Sequence, residues 1–258
     1  MAKILTIENL QYKNILKNIS FSLEEKSFNI LVGSNGSGKT TIVNCLRGIF
    51  KYKGNILVGN QDIKSDLNLL KKIGFFIDEE YILEKNIFDE LLSFLLNLNY
   101  TEEKAKKRIY SISKKIGVTN ILYKKQNELK YYEKTIVSFL FSVIHEPQIL
   151  VIDNELNTLD KKNKDNVLNY IINMKKTTIL FITTQSDYFE LGTNFIFIKD
   201  GKNILSIEQS KIKDNEKTIV KSGSKLPFSM DLSNKLIAYE LINNEGTNIK
   251  ELVDLIWN

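Results

Sequence analysis

The 258-residue sequence is 43% apolar and 26% charged, so it can bury a core and stay soluble, and its length suits one α/β domain with small appendages. No run approaches the roughly 18 apolar residues of a membrane span, the N-terminus lacks the long apolar stretch of a signal peptide, and the single Cys45 builds no disulfide framework and fits a reducing cytoplasm. The single His145 leaves no histidine metal cluster, and the net charge of +5, from 36 basic and 31 acidic residues, reads as a solvating lysine surface with no nucleic-acid partner expected.

Ile4 to Tyr12 and Ile19 to Leu23 carry short extended patterns. Phe28 to Val32 is a continuous apolar-rich run ending at Gly33, the pattern of a buried strand. Lys39 to Phe50 has helical spacing, with Ile42, Leu46 and Ile49 on one face, and Gly54 to Ile63 reads as a strand pair turning at Gly59-Asn60. Asn86 is placed to cap a helix carrying Phe88, Leu91, Leu92 and Leu95. Thr101 caps a second, with Ala105, Ile109, Ile112 and Ile116 as its buried stripe and Gly117 past its end. Ile136 to Ile144 reads as a buried helix. Strands are expected at Gln148 to Asp153 and Thr178 to Thr183, with a helix marked by Val167, Ile171 and Met174 between them. Phe195 to Ile207 reads as a hairpin turning at Asp200-Gly201. A polar linker, Lys213 to Lys225, leads to a C-terminal helical segment after Pro227, with Leu232, Leu236 and Tyr239 sharing one face and Ile249, Leu252 and Ile256 another.

The segment Gly33-Ser34-Asn35-Gly36-Ser37-Gly38-Lys39-Thr40 matches G-x-x-x-x-G-K-[ST] without a gap. Four fixed positions arise by accident in roughly one chain of this length in a hundred, and the motif also follows an expected strand and opens an expected helix. Its glycines let backbone N–H groups wrap a phosphate, and the helix adds its positive end. Lys39 reaches the β- and γ-phosphates of a nucleotide, and the Thr40 hydroxyl holds Mg²⁺. The matching acidic residue ends a buried strand at Asp153, which holds Mg²⁺ through a water. ATP and Mg²⁺ are therefore the expected ligands.

Several features together resemble one family. The stretch Ile15 to Leu23, followed by the phosphate loop and Thr41, looks like the opening of an ABC ATPase, and Leu159-Asp160 resembles that family's D-loop. The tail beginning Lys225-Leu226-Pro227-Phe228 is similar to the C-terminal extension of ATPase subunits in energy-coupling-factor (ECF) importers. The resemblance implies an α/β fold of the P-loop NTPase, ABC type. It has a mainly parallel core sheet, an antiparallel strand subdomain, a helical subdomain and a small C-terminal helical extension. On this scheme residues 1–212 form the ATP-binding domain, with the helical subdomain at about 79–135, and residues 213–258 form the linker and extension. It further implies a second ABC ATPase subunit as head-to-tail partner, a transmembrane transporter subunit, and a peripheral place on the inner face of the cell membrane. Tyr12 falls where the family stacks an aromatic ring on adenine; the alternative is a strand-edge core aromatic.

Catalytic positions depart from that family. Ile73 to Ile77 runs into Asp78 where glutamine is expected, and a carboxylate cannot donate a hydrogen bond as an amide does. The signature segment, usually Leu-Ser-Gly-Gly-Gln, falls on Leu129-Lys130-Tyr131-Tyr132-Glu133. There two tyrosines crowd the helix start and Glu133 repels phosphate, with Lys130 a compensating cation or the tyrosines merely packing. Asn154 stands where the general base should be glutamate, and Glu155 would point to the opposite face. Thr184, in Thr183-Thr184-Gln185, replaces the switch histidine. No secure catalytic residue is left, and hydrolysis is expected to be weak or absent in a degenerate half of an ATPase pair. The competing expectations are an active ATPase using Asp78 or Glu155 as base, and a nucleotide-binding scaffold or regulator outside any transporter.

Overall fold

The structure is a computed structural model that describes residues 2–78, 81–153, 156–184, 186–221, 223–243 and 249–257. Its larger sheet has six strands, in spatial order β10 (Lys202–Glu208), β9 (Asn194–Lys199), β3 (Phe28–Val32), β8 (Thr178–Thr183), β7 (Ile149–Asp153) and β6 (Ile73–Ile77). Neighbours pair in parallel except β10, which returns antiparallel along β9. A second, antiparallel sheet holds β2 (Leu16–Glu24), β1 (Lys3–Tyr12), β4 (Lys53–Val58) and β5 (Gln61–Asp62).

The sequence explains the difference between central and edge strands. β3, β7 and β8 are covered on both faces and carry nearly unbroken apolar runs. β10 alternates between exposed and half-buried residues, as an edge strand does. Because strand side chains alternate, β7 feeds two cores. Leu150 and Ile152 join the helical core, which contains α2 (Ile87–Asn97), α3 (Glu102–Lys115), α4 (Tyr131–Val143) and α5 (Lys161–Ile172). Ile149 and Val151 join the opposite core with α1 (Lys39–Leu46) and the smaller sheet.

The caps expected at Asn86 and Thr101 form, and Asp160 supplies a third. Asn86 Oδ1 accepts from Asp89 N at 2.9 Å, Thr101 Oγ1 from Lys104 N at 3.5 Å, and Asp160 Oδ1 from Asn163 N at 2.9 Å. Asp160, read from the sequence as part of a D-loop, thus also starts α5. Helix α4 is buried on all sides from Thr135 to Val143. Its hydroxyls turn to nearby carbonyls, Ser138 Oγ to Ile77 O at 3.3 Å and Ser142 Oγ to Phe139 O at 2.7 Å.

Several elements differ from expectation. α1 stops at Leu46, because Gly48 takes a positive φ of 74°; Ile49 is therefore exposed instead of completing the buried face. The polar linker contains α6 (Glu216–Lys221), whose Ile219 packs with Ile30, Val32, Phe195 and Phe197 of the main sheet. In α7 (Phe228–Ala238) the residues turned fully inward are Ser229 and Ser233, while Tyr239 is exposed. Of the last helix, α8 (Ile249–Trp257), Leu252 is buried and Ile256 is half exposed. An apolar stripe read from spacing alone does not say which element it meets.

Candidate functional site

Register places the candidate residues along one edge. Val32 pairs with Thr183, Ile152 with Phe181 and Ile77 with Asp153. The loop after β3, Thr184 after β8, Asp153 ending β7 and Asp78 after β6 all stand at the carboxyl ends of adjacent parallel strands. That edge is where open α/β sheets take their ligands.

The loop itself is tightly built. Gly33, Ser37, Gly38 and Lys39 are buried; Ser34, Asn35, Gly36 and Thr40 are exposed, and Thr41 is half-buried. Gly38 has φ of 105°, a conformation open to glycine, and a Cβ there would also stand 2.6 Å from Leu16 Cδ2. A Cβ on Gly33 would meet Ile198 O and Ser37 Oγ, each at 2.5 Å. Lys39 Nζ donates to Gly33 O at 2.7 Å and Ser34 O at 2.9 Å, so its ammonium sits inside the curve of the loop.

Lys39, Thr40 and Thr41 share one cleft of about 450 Å³ with Asp153, Thr183 and Thr184. Asn35, Gly36 and Gly38 form its loop side, and Ile15 and Ile182 its apolar wall. The structure thus brings together Asp153 and Thr184 with the loop. Asp78 is exposed one strand further out and does not line the cleft. Asn154, Glu155 and Gln185 lie outside the described residues. Tyr12 stacks on Phe50 with centroids 4.6 Å apart and rings 7° from parallel, and Lys13 Nζ stands 5.2 Å from its ring centre. Tyr12 does not line the cleft, whereas Ile15, three residues on, does.

The oxygen donors suit a hard divalent cation. Mg²⁺ takes one or two protein oxygens and completes its shell with phosphates and water. Thr40 and Asp153 supply such a pair in the same cleft. Among the described residues no cluster of three or more His, Cys, Asp or Glu side chains could hold a metal by itself.

The segment at the start of α4 corrects the sequence reading of Glu133. Its side chain is buried and faces inward: Lys124 Nζ donates to Glu133 Oε1 at 2.7 Å, and Lys130 N to Glu133 Oε2 at 2.8 Å. Burial alone would push the carboxyl pKa up. The Lys124 and Lys130 hydrogen bonds and the charges of both lysines outweigh it, holding the pKa below the ordinary value. Glu133 therefore balances its charge within the chain instead of presenting it to a phosphate. Lys130 and Tyr131 are exposed, and Tyr132 packs against the helical core.

Two partners were not legible in the sequence, Lys124 for Glu133 and the Asp200-Gly201 turn for the loop. The turn was legible as a turn, but the loop it contacts lies more than 150 residues away, and Lys124, close to Glu133 in the chain, belongs to no motif.

The sequence pattern of the ABC transporter family matches residues 16–157. An ABC transporter ATP-binding protein of Pyrococcus horikoshii is 31% identical over 198 residues, covering 74% of this chain and 76% of that protein. The energy-coupling factor transporter ATP-binding protein EcfA of Pediococcus pentosaceus is 25% identical over 252 residues, covering 92% and 90%. Among solved structures, an ATP-binding subunit of an ABC transporter superposes with a TM-score of 0.78 at 15% identity, covering 86% of this chain and all of that one. The cbiO1 protein of Clostridium perfringens, part of the ABC transporter complex cbiONQ, gives a TM-score of 0.71 at 23% identity, covering 88% and 97%. At these identities the two structures speak for the fold.

Proposed function

We propose that this chain, which belongs to the ABC transporter family of ATP-binding subunits, holds Mg-ATP and spends it poorly, as the degenerate half of an ATPase pair in an ECF-type importer. One observation carries the reading. A fully formed phosphate loop, with Lys39 inside it and Asp153 across the cleft, faces Thr184 where the family has a histidine.

In this reading the N–H groups of Ser34 to Thr41 and the Lys39 ammonium bind the phosphates. Thr40 and Asp153 hold Mg²⁺, which when bound neutralises phosphate charge. Tyr12, backed by Phe50, offers a ring to the base. Asn154 positions water without accepting its proton, and Thr184 lacks the titratable nitrogen of an imidazole. Asp78 marks the start of the helical subdomain.

The partners follow from the same reading. A second ABC subunit, a fuller paralogue, supplies the missing machinery across a head-to-tail dimer. The region of about 79–135 docks on a transmembrane subunit, and Ile82, 87% exposed, and Leu96, 42% exposed, are apolar residues that such a partner would cover. No described helix is long and apolar enough to cross a membrane. The proposal places the chain peripherally, on the inner face, with residues 1–212 as motor domain and 213–258 as extension.

The test is co-purification. Tagged chain is captured from detergent-solubilised membranes of cells expressing it with its neighbouring transporter genes. A polytopic membrane protein and an ABC subunit carrying glutamate and histidine at the two lost positions should be recovered in stoichiometric amount. Recovery of the chain alone, from the soluble fraction, would favour a nucleotide-binding scaffold outside a transporter.

A further inference from the structure

We propose that Gly201, at the tip of the β9–β10 hairpin, is a positioning residue that sets the phosphate loop for nucleotide; the proposal rests on the nucleotide-binding reading above.

The hairpin turns at Asp200-Gly201, with φ of 50° and 74° at the two residues, between paired Lys199 and Lys202. Both values are positive, as a type I′ turn between twisted strands requires. The tip does not end in solvent. Gly201 N donates to Ser37 O in the phosphate loop at 3.1 Å, and Lys17 N at the start of β2 donates to Gly201 O at 2.7 Å. One residue of the turn therefore joins the loop to the start of β2, beside Ile15 of the cleft wall. A Cβ at Gly201 would stand 1.7 Å from Ile15 O and 3.2 Å from Leu16 Cα, both backbone atoms. Glycine is required there for space as well as for φ.

The contacts close a ring. Gly201 presses on Ile15 and Leu16; Leu16 reaches Gly38, where a Cβ would meet it at 2.6 Å; Gly33 lies against Ile198 O, on the same hairpin. Elements more than 150 residues apart thus fix both ends of the loop.

The chemistry follows from the planar trans peptide. In such a unit the carbonyl and the following N–H point to opposite sides. Anchoring Ser37 O on Gly201 turns the Gly38 N–H away from the hairpin. Gly38 lines the cleft, and in the nucleotide-binding reading its N–H is one of the phosphate donors. If the Ser37–Gly38 peptide were free to flip, the carbonyl would face the phosphate and repel it. Gly201 acts by preventing that flip, and touches no nucleotide itself.

The test uses the full chain and Mg-ATP. Gly201→Ala should lower Mg-ATP affinity at least tenfold. Gly59→Ala imposes a similar positive-φ strain, φ of 63°, at a turn with nothing within 4 Å of the new Cβ, and should leave affinity within twofold. Hydrogen exchange of residues 34–40 should quicken in Gly201→Ala while β7 and β8 amides keep their protection; a purely structural role would loosen all of them together. Equal affinity in Gly201→Ala and the unsubstituted chain overturns the proposal. Should Gly201→Ala not fold, exchange in the unsubstituted chain decides. The Gly201 amide should gain protection on Mg-ATP together with residues 34–40, and protection of the loop without Gly201 overturns the proposal. Failure of the unsubstituted chain to bind Mg-ATP at all would instead remove the nucleotide-binding reading on which the proposal stands.

Discussion

Glu133 and Lys124 form a 2.7 Å ion pair at the start of α4, with the carboxylate 3% and the ammonium 30% exposed. The second carboxylate oxygen accepts the Lys130 N–H, so this acidic residue stabilises its own helix start. Replacing it tests that assignment. Glu133→Gln keeps the shape and loses the charge, and Glu133→Ala loses both. Glu133→Ala is expected to cost about 1–3 kcal/mol, a fall in thermal midpoint of about 3–10 °C, and Glu133→Gln less. Thermal unfolding of the purified variants measures it; a midpoint unchanged in both would mean that the pair contributes nothing.

Acid sensitivity has two separable sources. His145 is half-buried beside the ring of Phe94, with Tyr100 Oη donating to its carbonyl. Its pKa is lowered, first by burial and also by the Arg108 charge, although backbone hydrogen bonds oppose the shift. A histidine that protonates less readily when folded leaves stability intact above its ordinary pKa of 6.5 and loses it as pH falls below that value. Glu133, a carboxylate with lowered pKa, loses its contribution only below its ordinary 4.5. Denaturant midpoints measured from pH 8 to pH 4 should therefore begin to fall near pH 6.5, and His145→Gln should flatten that upper part of the curve. A flat profile down to pH 5 in the unsubstituted chain would contradict it.

Cys45 lies wholly buried in α1, and burial pushes its thiol up to about 11. Folded protein at pH 8 should react with a disulfide reagent orders of magnitude more slowly than protein in denaturant. Rapid labelling of the native chain would show that α1, and with it the phosphate loop, opens readily.

Lys39→Ala removes the cation held between Gly33 O and Ser34 O. A charge-assisted contact to phosphate is worth about 1.5–3 kcal/mol, so Mg-ATP affinity should drop about 10- to 100-fold. Titration calorimetry checks it, with thermal unfolding as the control for fold.

The proposed deficit in hydrolysis has its own test. The double substitution Asn154→Glu and Thr184→His supplies a carboxylate base and an imidazole. Turnover should rise on the order of 10²-fold, the usual contribution of general-base catalysis. Unchanged turnover would shift the deficit to Leu129–Glu133.

Much of this fold was legible because its central strands are self-declaring. Phe28–Val32 and Thr178–Thr183 were read to the residue, since strands buried on both faces need unbroken apolar runs. The caps at Asn86 and Thr101 were legible because capping is local chemistry. Positions decided by tertiary contacts were not: the linker found a core for Ile219, and Glu133 found Lys124. Ile49 lost its buried place to local chemistry, the positive φ of the neighbouring Gly48. In the site, the motif spacing fixed the loop and Asp153, whereas the Gly201 contact depends on a turn more than 150 residues away from the loop it holds.

Under the proposed function this chain holds Mg-ATP more than it spends it. Purified chain is incubated with γ-labelled ATP and Mg²⁺, freed from unbound nucleotide, and the bound label is separated into ATP and phosphate over time. About one nucleotide per chain is expected, recovered as intact ATP for many minutes. Release of phosphate at about 1 s⁻¹ or faster, within the ordinary range of enzyme turnover, by the chain alone would contradict it.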